Sequence, residues 1–248
     1  MEEPPPDPSV GCMTTYPQSQ RELPALVRHI GGIGLMLGPA LQVVGTFFWR
    51  DGTQGIAAAP FTVISVAAWL VGLIAVFRAL EGRVPRYTAI GLPLAVYGTV
   101  GGVAFGVQGM DEELFGVAHG EAVRLLEAYP VAGNLVFWLA GPLFPFSLFA
   151  LGAVLARIRA VPVPVGLLIC LGAVMFPISR IPRDPLVAHV ADVLLLLPFL
   201  YLGARLMAGG LAPERSDGPS DPADPGVKPG RIRGRWAARA LRATAPRS

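Results

Sequence analysis

The sequence predicts an all-α polytopic membrane protein: a bundle of six transmembrane helices with both termini in the cytoplasm. Three observations carry this. First, 53% of the 248 residues are apolar and only 15% are charged, against about 25% charged in soluble domains. Second, six stretches are apolar over the roughly 20 residues that a helix needs to cross about 30 Å of hydrocarbon. Third, the basic residues fall unevenly on the segments between those stretches. This composition excludes a disordered chain, which is poor in apolar residues. It also excludes a soluble domain, which could not hide so much apolar surface. The runs are continuous, unlike the alternating strands of about 10 residues in a membrane barrel. Lipid offers no partner to a free backbone group, so each run is expected to be helical.

Residues 1–28 are polar and are read as a largely disordered cytoplasmic tail. Met13, followed by Thr14 and Thr15, is an alternative start to Met1. The first span covers 29–49 and is expected to act as an uncleaved anchor. The second covers 56–77 and the third 88–108. A segment at 111–129 follows, in which Leu114, Phe115, Ala118, Ala122, Leu125 and Leu126 recur at helical spacing. With Asp111, Glu112 and Glu113 at its start, it is expected to form one amphipathic helix over the outer mouth of the bundle. The fourth span covers 131–156, the fifth 161–178 and the sixth 186–206. Residues 207–248 are read as a disordered cytoplasmic tail. Within that tail Arg231, Arg235, Arg239 and Arg242 recur at helical spacing, which allows a basic amphipathic helix over 231–243, with a solvated basic tail as the alternative.

Orientation follows from the positive-inside rule. Sixteen of the 20 basic residues fall on the side that carries the termini. Only Arg50, Arg124, Arg180 and Arg183 fall on the other side. The expected location is the cell membrane. The partners expected are the bilayer itself, anionic inner-leaflet lipids for the basic tail, and a second copy or another membrane protein. The modest net charge of +3 is a topology signal, and no nucleic-acid partner is expected. Arginine outnumbers lysine 19 to 1, a bias that fits a GC-rich bacterial genome.

Small residues four apart let helices approach closely in lipid. Gly34 and Gly38 form one such step, and Gly98, Gly102 and Gly106 form two. Their expected use is packing inside the chain, with a dimer seam as the alternative. Pro142 and Pro145 remove backbone donors from the fourth span, so a kink is expected there.

Ionisable groups at membrane depth are expensive, which makes them candidate sites. Asp192 lies six residues into the sixth span, roughly 9 Å along a helix. His189 precedes it by three positions, on the same face. The pair suits proton or ligand binding, or a structural bond from Asp192 to Arg180 or Arg183. Gln42, Thr46, Thr62, Gln108 and Asn134 fall at similar depth, and His119 and Glu121 in the outer segment could cap them. An outward-facing polar pocket of His189, Asp192, Asn134, Gln42, Arg180 and Arg183 is therefore the candidate site. No metal and no cofactor are expected. Three histidines do not supply a haem pair, and nucleophile-elbow, zincin and Walker patterns are absent. The leading expectation is a non-catalytic structural or regulatory membrane component. The alternative is a small transporter using the pocket, and a membrane-embedded enzyme ranks third.

Overall fold

The computed structural model describes residues 23–50 and 52–211. The helices are α1 (Ala25–Thr46), α2 (Gly55–Leu80), α3 (Pro85–Phe115), α4 (His119–Glu127), α5 (Pro130–Gly133), α6 (Ala140–Arg157), α7 (Val163–Arg180) and α8 (Pro185–Met207). A π-helix over Asn134–Leu139 joins α5 to α6. No β-strand forms among the described residues; a single bridge pairs Arg50 with Thr53. Six helices are long and apolar enough to cross a membrane, with Pro130–Arg157 serving as one of them. The chain is thus an all-helical, multi-pass membrane protein. The tail through residue 22 and the basic 231–243 segment lie outside the described residues.

The crossings close into a ring. α1 packs on α2, α2 on α3, α3 on α6, α6 on α7, α7 on α8, and α8 returns to α1. Glycine sets several of these contacts. A Cβ on Gly34 would stand 2.5 Å from the Ala68 carbonyl oxygen, and one on Gly38 would stand 2.9 Å from Trp69, both on α2. The α3 stripe divides between two neighbours. A Cβ on Gly98 would stand 2.5 Å from the Phe144 amide nitrogen of α6, while one on Gly102 or Gly106 would stand 3.0 or 3.1 Å from the Val66 or Thr62 side chain of α2. Both glycine motifs are therefore occupied by helices of the same chain.

Trp69 stands in the middle of the ring. It packs edge-on against Phe144 at 5.3 Å and Phe199 at 5.1 Å. From there to the end that carries residues 25 and 207, the interior is filled by Leu35, Leu73, Phe77, Leu80, Leu148, Leu151, Leu155 and Leu202, all buried. We call that end the terminal end and the opposite one the loop end.

One expectation is corrected. The segment 111–129 is not one helix. α3 runs straight through Asp111, Glu112 and Glu113 to Phe115, and Gly116 ends it at φ +63°. The Val117 amide donates to the Glu112 carbonyl at 2.9 Å and the Gly116 amide to the Glu113 carbonyl at 3.3 Å, the glycine-capped helix stop. Only α4, His119–Glu127, remains as the separate amphipathic piece. In the fourth crossing a π-helix lies just upstream of Pro142 and Pro145. Pro142 gives no N–H to the Trp138 carbonyl, and the turn before it widens into the π-helix.

Candidate functional site: a lidded cavity and two buried ion pairs

The loop end holds four buried charges that the sequence distributes over three distant segments. Asp192 of α8 pairs with Arg180 at the end of α7. The Thr46 hydroxyl of α1 donates to Asp192 Oδ2 at 2.6 Å. All three side chains are buried. The Arg180 guanidinium lies between two rings, 4.8 Å from Trp49 and 4.9 Å from Phe176.

The second pair joins α3 to the turn between α7 and α8. Arg183 Nη1 donates to Glu112 Oε2 at 2.5 Å and Nη2 to Oε1 at 3.2 Å. Both side chains are 2% exposed. Arg183 takes a left-handed backbone, φ +54°, which costs of order 1 kcal/mol for a residue with a Cβ. The fork of bonds to Glu112 holds it there. His119 Nδ1, at the start of α4, lies 2.7 Å from Glu112 Oε1. Glu113 points elsewhere: its Oε2 accepts from the Ile56 amide at 2.5 Å and satisfies the first turn of α2. Asp184 caps α8, accepting from the Leu186 and Val187 amides at 2.9 and 3.0 Å.

Between these pairs lies a cavity of about 240 Å³. Trp69, Phe144 and Phe176 form its floor, and Phe144 stacks edge-on with Phe176 at 5.7 Å. Its wall is mostly apolar, and Gln42, Thr62, Gln108, His119 and Arg180 supply polar groups. α4 covers it with His119, Val123 and Leu126, a stripe at spacings of four and three on one helix face. Two lining residues carry unpaired donors. Trp69 Nε1 and Arg180 Nε are both buried and have no hydrogen-bond partner. A buried donor left without a partner costs about 1–3 kcal/mol.

The predicted pocket is thus only partly assembled. Gln42 and Arg180 line the cavity. Asp192 and Arg183 are buried behind its wall in their ion pairs and do not line it. His189 packs against Phe47, with ring centroids 4.3 Å apart, also outside the lining. Asn134 is exposed on the π-helix and contributes nothing to the cavity. Among the predicted neighbours, Thr62, Gln108 and His119 do line it, while Glu121 pairs with Arg124 on the exposed side of α4. Sequence reasoning missed Glu112 as a buried group, and it missed the aromatic floor. Among the described residues no group of three or more His, Cys, Asp or Glu side chains is placed to hold a metal ion.

Comparison of the chain with protein-family profiles, with curated proteins and with solved structures finds no match in any of the three. The functional reading therefore rests on the cavity and its lining.

Proposed function

We propose that this chain is a non-catalytic, ligand-binding component of a cell membrane, with the cavity under α4 as its binding site. The observation that carries this is a mostly apolar cavity whose lining holds a few polar residues, Gln42, Thr62, Gln108, His119 and Arg180, over an aromatic floor. A ligand with an apolar body and one hydrogen-bond acceptor would fill the space and bond to one of the polar residues of the lining. Asp192 already balances the charge of Arg180. The cavity thus favours a neutral acceptor, a ketone, amide or hydroxyl, over an anion. Both buried carboxylates at this end are engaged by arginines, which leaves neither free as a general base and supports binding over chemistry.

The packed interior from Trp69 to the terminal end supports a regulatory or sensing role over a continuous passage. The permease reading keeps one support: α4 lies across the cavity mouth as a lid would, tied down by His119 and Glu112. Arginine placement supports an orientation with the terminal end in the cytoplasm and α4 outside.

Calorimetry with the protein in nanodiscs tests the binding reading, using camphor as a compact ketone and bornane as its hydrocarbon parent. Saturable one-to-one binding of camphor, weaker for bornane, is expected. Gly141 lines the cavity, and a Cβ there meets nothing within 4 Å. Gly141→Leu should fill the space, keep the fold and abolish the binding. Camphor binding that is absent, or undiminished in Gly141→Leu, overturns the proposal.

A further inference from the structure

At the terminal end, opposite the cavity and independent of it, a second cleft of about 370 Å³ opens between the α6–α7 turn and the last turns of α8. Its walls are Arg159, Val161, Pro162, Val163, Tyr201 and Arg205. We propose that this cleft binds the phosphodiester headgroup of an anionic phospholipid.

Charge makes the first argument. Among the described residues neither Arg159 nor Arg205 forms an ion pair. Arg205 Nε donates to the Ala160 carbonyl at 2.8 Å, and from the other side Arg83 Nη2 donates to the Ile158 carbonyl at 2.7 Å. Two arginines thus grip the turn through neutral acceptors and leave their positive charge uncompensated. A third, Arg159, lies in the chain between the two carbonyls they hold and lines the cleft with Arg205. An anion with several acceptor oxygens is the complementary ligand.

The backbone makes the second argument. Arg159 adopts φ +54°. The Ala160 amide donates to the Leu155 carbonyl at 2.9 Å and the Arg159 amide to the Ala156 carbonyl at 3.1 Å. Arg159 thus occupies the helix-terminating position where glycine is cheaper. A long cation held there against the local backbone preference has its use in the side chain.

The surroundings identify the anion as a lipid headgroup. α7 and α8 leave the cleft side by side and carry exposed apolar rows away from it. On α7 the row is Val163, Leu167, Leu171 and Val174; on α8 it is Tyr201, Leu197, Val193 and Val190. Both keep the spacing of one helix face. Acyl chains of a lipid seated in the cleft would run along these rows, with the Tyr201 hydroxyl and both guanidinium groups at headgroup level.

The test uses the full chain, released from nanodiscs of mixed phosphatidylglycerol and phosphatidylcholine, with retained lipid counted by native mass spectrometry. The wild-type chain should retain phosphatidylglycerol preferentially. Arg159→Gly suits the left-handed backbone, so the fold should persist while the preference falls about fivefold. Tyr201→Phe should weaken it further. Arg157→Gln removes the same charge from an exposed position outside the cleft and should leave the preference intact. Saturating inorganic phosphate should not displace the lipid. The proposal is overturned by an unchanged preference in Arg159→Gly, by an equal loss in Arg157→Gln, or by displacement with inorganic phosphate alone.

Discussion

Glu112 and Arg183 stand 71 positions apart in the chain and meet as a buried pair, Nη1 to Oε2 at 2.5 Å, where α3 ends against the α7–α8 turn. Carboxylates in the last turn of a helix oppose its dipole. Glu112 is tolerated there because Arg183 and His119 both face it. Removing one member strands the other charge in the interior, a loss of about 3–5 kcal/mol. Glu112→Gln and Arg183→Met should each lower the melting temperature in detergent sharply. The double variant should lie well above the sum of the two losses. Additive losses would show that the residues do not depend on each other.

Asp192 is held by Arg180 and by the Thr46 hydroxyl. Thr46→Val deletes one neutral donor to a buried carboxylate and should cost about 1–3 kcal/mol. Asp192→Asn leaves the buried Arg180 without its counter-charge and should cost more. The order of the two melting temperatures is the measurement. A proton-coupling carboxylate predicts a different result, an Asp192→Asn protein as stable as the parent.

Helix packing makes a graded prediction along α3 and α6. A Cβ at Gly98 collides with the backbone of Phe144, and one at Gly101 with the backbone nitrogen of Gly141, each at 2.5 Å. Backbone cannot yield as a side chain can, so Gly98→Ala and Gly101→Ala should push α3 from α6 and cost about 1–3 kcal/mol each. At Gly102 the obstacle is the Val66 side chain at 3.0 Å, and the loss should be smaller. Gly141→Ala meets no atom and should be neutral or stabilising. Equal effects at the four positions would contradict the close approach of α3 and α6.

The helical class and the six crossings were legible because length and apolarity alone decide them. Asp192 was legible because a carboxylate inside an apolar run stands out. Glu112 was hidden between Asp111 and Glu113, which together read as the polar start of a new helix. Its signal lay in spacing: Gly98, Gly102, Gly106, Gly109 and Glu112 follow steps of four, four, three and three along one face. The stop at Gly116 depends on a left-handed backbone, which a continuous apolar periodicity conceals. The cavity could not be read at all, because its walls come from helices brought together only when the ring closes.

The two ends of the ring differ in their arginines. At the terminal end Arg28, Arg78, Arg83, Arg86, Arg157, Arg159 and Arg205 lie in or beside the described loops and helix ends. The loop end has four arginines, but Arg180 and Arg183 are buried against carboxylates, and Arg124 is paired with Glu121 at 2.5 Å. Only Arg50 lacks an ion-pair partner there among the described residues. The positive-inside rule responds to basic residues flanking the spans and little to acidic ones, so the count of seven arginines against four is what supports the orientation. A cysteine at Gly120, where a Cβ meets nothing within 4 Å, should therefore react with a membrane-impermeant maleimide added to intact cells, in a background with Cys12 and Cys170 replaced. One at Arg157 should react only after the membrane is permeabilised. Labelling in the reverse order would place α4 and its cavity on the cytoplasmic face, and the ligand would then have to come from inside the cell.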